Sequence, residues 1–205
     1  MLITISREYG AGGSSVARVV AKALGWEVVD NQLVDEVAAR AGITPQEVRD
    51  REERGPTFVE RVARALTVAN PEVIGPGTAE LPEAEEARLV RITEQVVADA
   101  AVDRAVLVGR AASAVIGRRE GALHVKLVGS VEYRAGVLAS RLTVSHEEAL
   151  KRIHDTDAHR ARYHRQYYNR DWADPHAYHL TLNTEWLGIP RAAAIVVAAV
   201  EEEQA

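Results

Sequence analysis

A doubly wound α/β fold built on five parallel strands is predicted by three observations. Short apolar runs recur along the chain, stretches of helical period separate them, and a glycine-rich turn joins the first run to the first helix. The runs fall at 2–6, 26–29, 105–108, 123–128 and 178–182. Most are continuous rather than alternating, as in strands covered on both faces.

The first helix, over 14–24, carries Val16, Val19, Val20, Ala23 and Leu24 on one stripe. The next, over 32–40, turns Leu33, Val34, Val37 and Ala38 inward. Strand and helix alternating in this way imply right-handed crossovers. Between the second and third strands the alternation lapses, and residues 42–101 read as a helical insertion. Thr44 with Glu47 forms a capping box there, 57–68 is amphipathic, and a longer helix over 83–101 carries Leu89, Ile92, Val96 and Val97. Asn70-Pro71 and the run from Ile74 to Gly77 interrupt these helices. A second helical stretch, 144–169, is dense in arginine and histidine and precedes the last strand. The terminal helix, 190–201, opens on Pro190 and presents Ala193, Ile195, Val196, Ala199 and Val200.

The 205 residues suit one domain carrying an insertion, with enough chain to bury a core. A net charge of −5 argues against general affinity for nucleic acid. Membrane association is not expected, because no apolar run reaches the length of a span and no signal pattern opens the chain. The absence of cysteine excludes a disulfide scaffold or thiolate metal site and fits a cytoplasmic protein. The lysines are Lys22, Lys126 and Lys151, so a phosphate clamp here must rest on guanidinium groups, which grip oxyanions with two parallel bonds.

The stretch LITISREYGAGGSSVARVVAKALG has the layout of a phosphate-binding loop. Glycines let the backbone fold around an anion while successive N–H groups and the positive helix terminus point at it. Against the pattern G-x-x-x-x-G-K-[ST], Gly12 and Ser14 occupy their places, Arg7 stands at the first glycine, and Gly13 replaces the lysine. The cradle is present without its usual cation.

Five blocks in order resemble the cytidylate kinase-like family: ITISREYGAGGSSVARVVAKALGW, VVDNQLVDEVA, VLVGRAAS, HVKLVGSVEYRAGVL and DTDAHRARYHRQYYNRDWADPHAYHLTLNTEWLG. The resemblance implies a P-loop kinase fold, with a substrate-covering insertion and an arginine-bearing lid near 144–172. It also implies ATP and Mg2+ as co-substrate and cofactor, and transfer of the γ-phosphoryl to a nucleoside monophosphate or another small acceptor. By position, Gly10, Ala11, Gly12, Gly13, Ser14 and Ser15 would surround the donor phosphates, with Ser14 or Ser15 beside magnesium. Self-association is compatible with this reading.

Arg7 ends the first strand and is the nearest substitute in sequence for the missing lysine; the plain alternative is an exposed arginine beside Glu8. Arg110, after Gly109, matches a family arginine that approaches the acceptor phosphate. Asp30 either holds acceptor or metal-bound water or caps the helix after it. In the lid, Arg160 and Arg162 project differently; Arg160 is assigned to catalysis and both to the lid and donor. Arg134 frames the donor nucleotide or forms an ion pair near Glu132. His154, His159, His164, His176 and His179 invite a metal reading, His176 and His179 above all, but lack a third ligand of clear geometry. Gly13 in place of lysine also admits a nucleotide-binding sensor or assembly module with little or no catalysis.

Overall fold

The computed structural model describes residues 1–48 and 82–204. Five strands form one parallel sheet: β1 (Leu2–Arg7), β2 (Glu27–Val29), β3 (Ala105–Val108), β4 (Ala122–Val128) and β5 (Leu180–Asn183), in the order β2-β3-β1-β4-β5. Central β1 pairs on one side with β3, Ile5 opposite Val108, and on the other with β4, Ser6 opposite Lys126. The fourth strand therefore crosses to the far side of the first. Loops after β1 and β3 diverge at this carboxyl edge, where such sheets open a crevice.

Helices cover both faces. On one, α1 (Gly13–Leu24) and the terminal helix, α7 (Thr184–Gln204), enclose Ile3, Ile5, Val106, Val125 and Leu127. On the other, α2 (Asn31–Ala41) and α3 (Pro82–Ala100) pack Leu33, Val37, Val96 and Val97 against Leu2, Ala105 and Leu107. Short α4 (Ala112–Ile116) follows β3, and α5 (Val131–Leu142) follows β4. The lid-like helix α6 (His146–Tyr168) packs on α5 through Leu138, Ala149 and Ile153.

The capping box forms, with Thr44 N–H donating to Glu47 at 2.7 Å. Residues 57–68 lie outside the described residues. Several inward stripes shift by one position. Ala17 and Ala21 are buried in α1 while Val19 is 42% exposed, and Ala192 replaces Ile195 on the inner face of α7. The last strand starts at Leu180 rather than 178, because the Tyr178 N–H closes the turn Pro175–Ala177 by donating to the Pro175 carbonyl at 3.1 Å instead of joining the ladder. Helix α7 begins at Thr184, six residues before Pro190, and bends at Gly188, where φ is 67° and ψ 163°.

Arg134 departs from both sequence expectations. It is 4% exposed, and its guanidinium donates to the carbonyls of Gly129 and Tyr9 and to Asp157 at 2.6 Å. Asp157 in turn accepts the Tyr9 N–H at 2.8 Å. The pair binds the glycine-rich loop to α5 and α6, and Arg134 holds the loop from behind rather than facing a ligand. Removing Asp157 leaves the buried Arg134 charge, among the described residues, only its longer ion-pair contact to Glu8 at 3.4 Å. Asp157→Ala is therefore expected to lower unfolding free energy by about 3 kcal/mol, read from urea denaturation. A loss below about 0.5 kcal/mol, the range of an exposed pair, would contradict the assignment.

Candidate active site

The glycine-rich loop closes tightly at the end of β1. Ala11 N–H donates to the Glu8 carbonyl at 3.1 Å, and Thr184 Oγ1 donates to the Ala11 carbonyl at 3.1 Å. Helix α1 starts at Gly13 after a left-handed Gly12. The Gly13 and Ser14 N–H groups have no acceptor within the helix and lie at the positive end of its dipole, whereas the Ser15 N–H donates to the Gly12 carbonyl at 3.0 Å. Ser14 Oγ donates to Asp30 Oδ2 at 2.7 Å. Asp30 makes no side-chain bond to the helix it precedes, so its carboxylate serves the loop rather than a cap.

Arg7 runs across the front of this loop. A Cβ at position 13 would lie 2.8 Å from Arg7 Cγ, and one at position 109 would lie 1.9 Å from Arg7 Nη1. Gly13 and Gly109 thus clear the path of one side chain. The glycine that replaces the loop lysine is what admits the arginine. Gly109 also opens a left-handed turn through Arg110 (φ 54°) and Ala111 (φ 50°), closed by Ala112 N–H to the Gly109 carbonyl at 2.9 Å. Non-glycine residues in this region cost of order 1 kcal/mol each, and such strain concentrates at functional sites.

A cleft of about 190 Å³ opens at the carboxyl ends of β1 and β3. Arg7, Arg110 and Arg160 line it, and among the described residues Asp30 is the only acid that does so. Arg160 reaches from α6 to donate to the Arg7 carbonyl at 2.7 Å. Three predicted arginines therefore converge with Asp30. Arg162 does not join them and is exposed on α6. Ser15 accepts from Arg18 at 3.4 Å, which leaves Ser14 as the hydroxyl beside Asp30. His179 and His176 have other partners: His179 Nδ1 accepts the His124 N–H at 2.8 Å, and His176 lies 2.8 Å from Asp174.

Several lining groups lie outside the set of residues assigned to the site from sequence. His164 is 5% exposed, and burial pushes its pKa from the ordinary 6.5 down to about 4, so the ring is neutral near pH 7. Trp172 forms part of the wall and donates from Nε1 to Ser6 Oγ at 3.0 Å. Nearby, His124 Nε2 donates to the Gly117 carbonyl at 2.7 Å, leaving Nδ1 to accept from Thr4 Oγ1 at 2.8 Å. Desolvation lowers the His124 pKa as well. The sequence signal for His164 was its four-residue spacing from Arg160, which puts both on one face of the helix.

The sheet order, the glycine-rich loop on its central strand and the arginines above it define the α/β fold of P-loop kinases. The chain belongs to the cytidylate kinase-like family, whose model matches residues 2–186. No curated protein matches it in sequence. Among solved structures, an uncharacterized protein from Eubacterium ventriosum ATCC 27560 is similar at 18% identity and TM-score 0.69, with 98% of each chain covered. Shikimate kinase from Bacteroides thetaiotaomicron is similar at 14% identity and TM-score 0.55, again with 98% of each chain covered. Shikimate kinase from Acinetobacter baumannii, in complex with shikimate, is similar at 14% identity and TM-score 0.52, over 98% of this chain and 93% of that one. These likenesses establish the fold. Among the described residues, no helix is long and apolar enough to cross a membrane.

Two measurements test the geometry. Gly13→Ala should lower affinity for pyrophosphate about tenfold in titration calorimetry, roughly 1.4 kcal/mol, because the new methyl displaces Arg7. Helix propensity should hold or raise the melting temperature, so unchanged affinity would show that Arg7 does not serve the loop. His164 has a folded pKa below its unfolded one, so the unfolded chain binds more protons between about 6.5 and 4. Stability should fall as pH drops through that window and level off below it. His164→Gln should flatten part of the slope, with His124 supplying another part; an unchanged slope would place His164 in water.

Proposed function

We propose that this protein is a kinase that transfers the γ-phosphoryl group of ATP, with Mg2+, to a small anionic acceptor, a nucleoside monophosphate or another phosphate-bearing molecule. The observation that carries this reading is the passage of Arg7 between Gly13 and Gly109, which puts a guanidinium beside the lysine-free loop. Phosphoryl transfer proceeds chiefly by positioning and by stabilising charge on the moving group. The N–H groups of Gly12, Gly13 and Ser14 hold the donor phosphates. Arg7 and Arg160, joined through the Arg7 carbonyl, take up charge on the transferred group as the lid helix seats.

Arg110, at the strained turn after β3, binds the acceptor's anionic group with its planar fork. The oxygen pair of Ser14 and Asp30 suits Mg2+, which favours one or two protein oxygens with phosphate and water completing its shell. When bound, that ion neutralises charge on the donor phosphates. Asp30 also orients the acceptor from the same position. A cytoplasmic location, consistent with the cysteine-free chain, belongs to this proposal.

The test is a product-resolved screen of ATP and Mg2+ against CMP, dCMP, other nucleoside monophosphates, nucleosides and small phosphorylated alcohols. Turnover of one acceptor class is expected, with Arg7→Ala, Arg110→Ala and Arg160→Ala each lowering kcat/KM at least about tenfold, or roughly 1.4 kcal/mol. ATP binding without transfer to any acceptor would make the protein a sensor. Absence of nucleotide binding would defeat both readings.

A further inference from the structure

Lys126 lies on β4 and is 2% exposed, among the largest fully buried side chains in the sheet. Among the described residues no carboxylate comes within ion-pair reach of it. Its ammonium instead donates to the Trp172 carbonyl and sits 3.8 Å from the centre of the Trp172 ring, with the Tyr178 ring 5.2 Å away. The Tyr178 hydroxyl lies 3.1 Å from that carbonyl and 3.3 Å from Ser6 Oγ, the atom that also receives the Trp172 indole N–H. Trp172 follows the lid helix by four residues and lines the cleft beside Ser6.

A cation buried without an adjacent anion opposes folding, and a methionine of similar length would cost less. Its cation–π contacts and single carbonyl bond recover only part of that cost. Residues that violate stability rules in this way are retained where a site needs them. What Lys126 secures is the segment that follows the arginine-bearing helix, at the tryptophan in the cleft wall.

We propose that Lys126 is a positioning residue for the acceptor: from within the sheet it fixes Trp172 against Ser6 and so sets the wall of the cleft. The proposal rests on the reading of Arg110 and Asp30, which line the same cleft as Trp172, as the groups that bind the acceptor. It acts on the acceptor rather than the donor, because Trp172 lines the cleft while the glycine-rich loop is held separately by Arg134, Asp157 and Thr184. Burial depresses the Lys126 pKa to about 8, with Glu8, Asp157 and Asp171 opposing the shift and Arg170 adding to it. Of its other titratable neighbours, Tyr178 moves upward through burial and stays protonated in this range, and His164, held down to about 4, stays neutral. The clamp is therefore charged at pH 7 and is weakened, through loss of its cation–π attraction, as pH rises past about 8.

Lys126→Met tests this in the full chain. Its melting temperature should equal or exceed that of wild type, while the acceptor KM rises about tenfold and the KM for ATP stays within about twofold. In wild type the acceptor KM should climb above pH 8, and in Lys126→Met it should be flat there. A variant that keeps the wild-type KM and pH profile, or that loses stability in step with affinity, would overturn the proposal. A second readout needs no turnover: the indole N–H resonance of Trp172, assigned with Trp172→Phe, should titrate near pH 8 in wild type. An indole signal that ignores this titration overturns the coupling even in an active kinase. One that follows it supports the coupling even if every acceptor in the screen fails.

Discussion

The Arg134–Asp157 pair is the interaction on which the rest of the site depends. One guanidinium and one carboxylate join the backbone of Tyr9, immediately before the glycine-rich turn, to the helix after β4 and the lid-like helix. Because both groups are largely withdrawn from water, each needs the other, and the backbone bonds satisfy what the pair leaves over. The loop consequently has a set position relative to α6, and Arg160, three residues after Asp157, meets the carbonyl of Arg7. Anion-binding amides become useful only when their surroundings hold them still.

Around this frame the chain accepts local costs near the cleft. Arg110 and Ala111 adopt left-handed backbone, Lys126 is buried with no carboxylate of the described residues beside it, and His164 is held neutral among cations. The apolar core meets these costs from a distance. Ile3, Ile5, Val125 and Leu127 pack beneath α1 and α7 on one face, while Thr4, Ser6, His124 and Lys126 of the same two strands look to the other. Central strands thus have one face that stabilises and, toward the cleft, one that positions.

That division explains what was legible in the sequence. Run length, helical period and the glycine-rich turn reveal strands, helices and their alternation, because these are local properties of backbone and pattern. Reading 2–6 and 123–128 as apolar runs hid their second face, since Thr4, Ser6, His124 and Lys126 acquire polar partners only when Trp172, Tyr178 and Gly117 fold over them. The stripe of α1 was misread for a related reason. Which small residues a helix buries depends on the contour it meets, and α7 receives Ala17 and Ala21 more closely than it could receive Val19.

By itself the sequence determined the fold class, the phosphate-loop layout with glycine in place of lysine, and a supply of cations restricted almost wholly to arginine. Tertiary structure decided which arginines meet. Arg7, Arg110 and Arg160 converge from β1, the β3 turn and α6, whereas Arg134 turns inward to brace the loop and Arg162 faces solvent. Nothing local distinguishes these side chains, because a guanidinium's role depends on the oxygens and empty space around it. For Arg7 that space exists only where Gly13 and Gly109, far apart in the chain, are brought together by the pairing of β1 with β3.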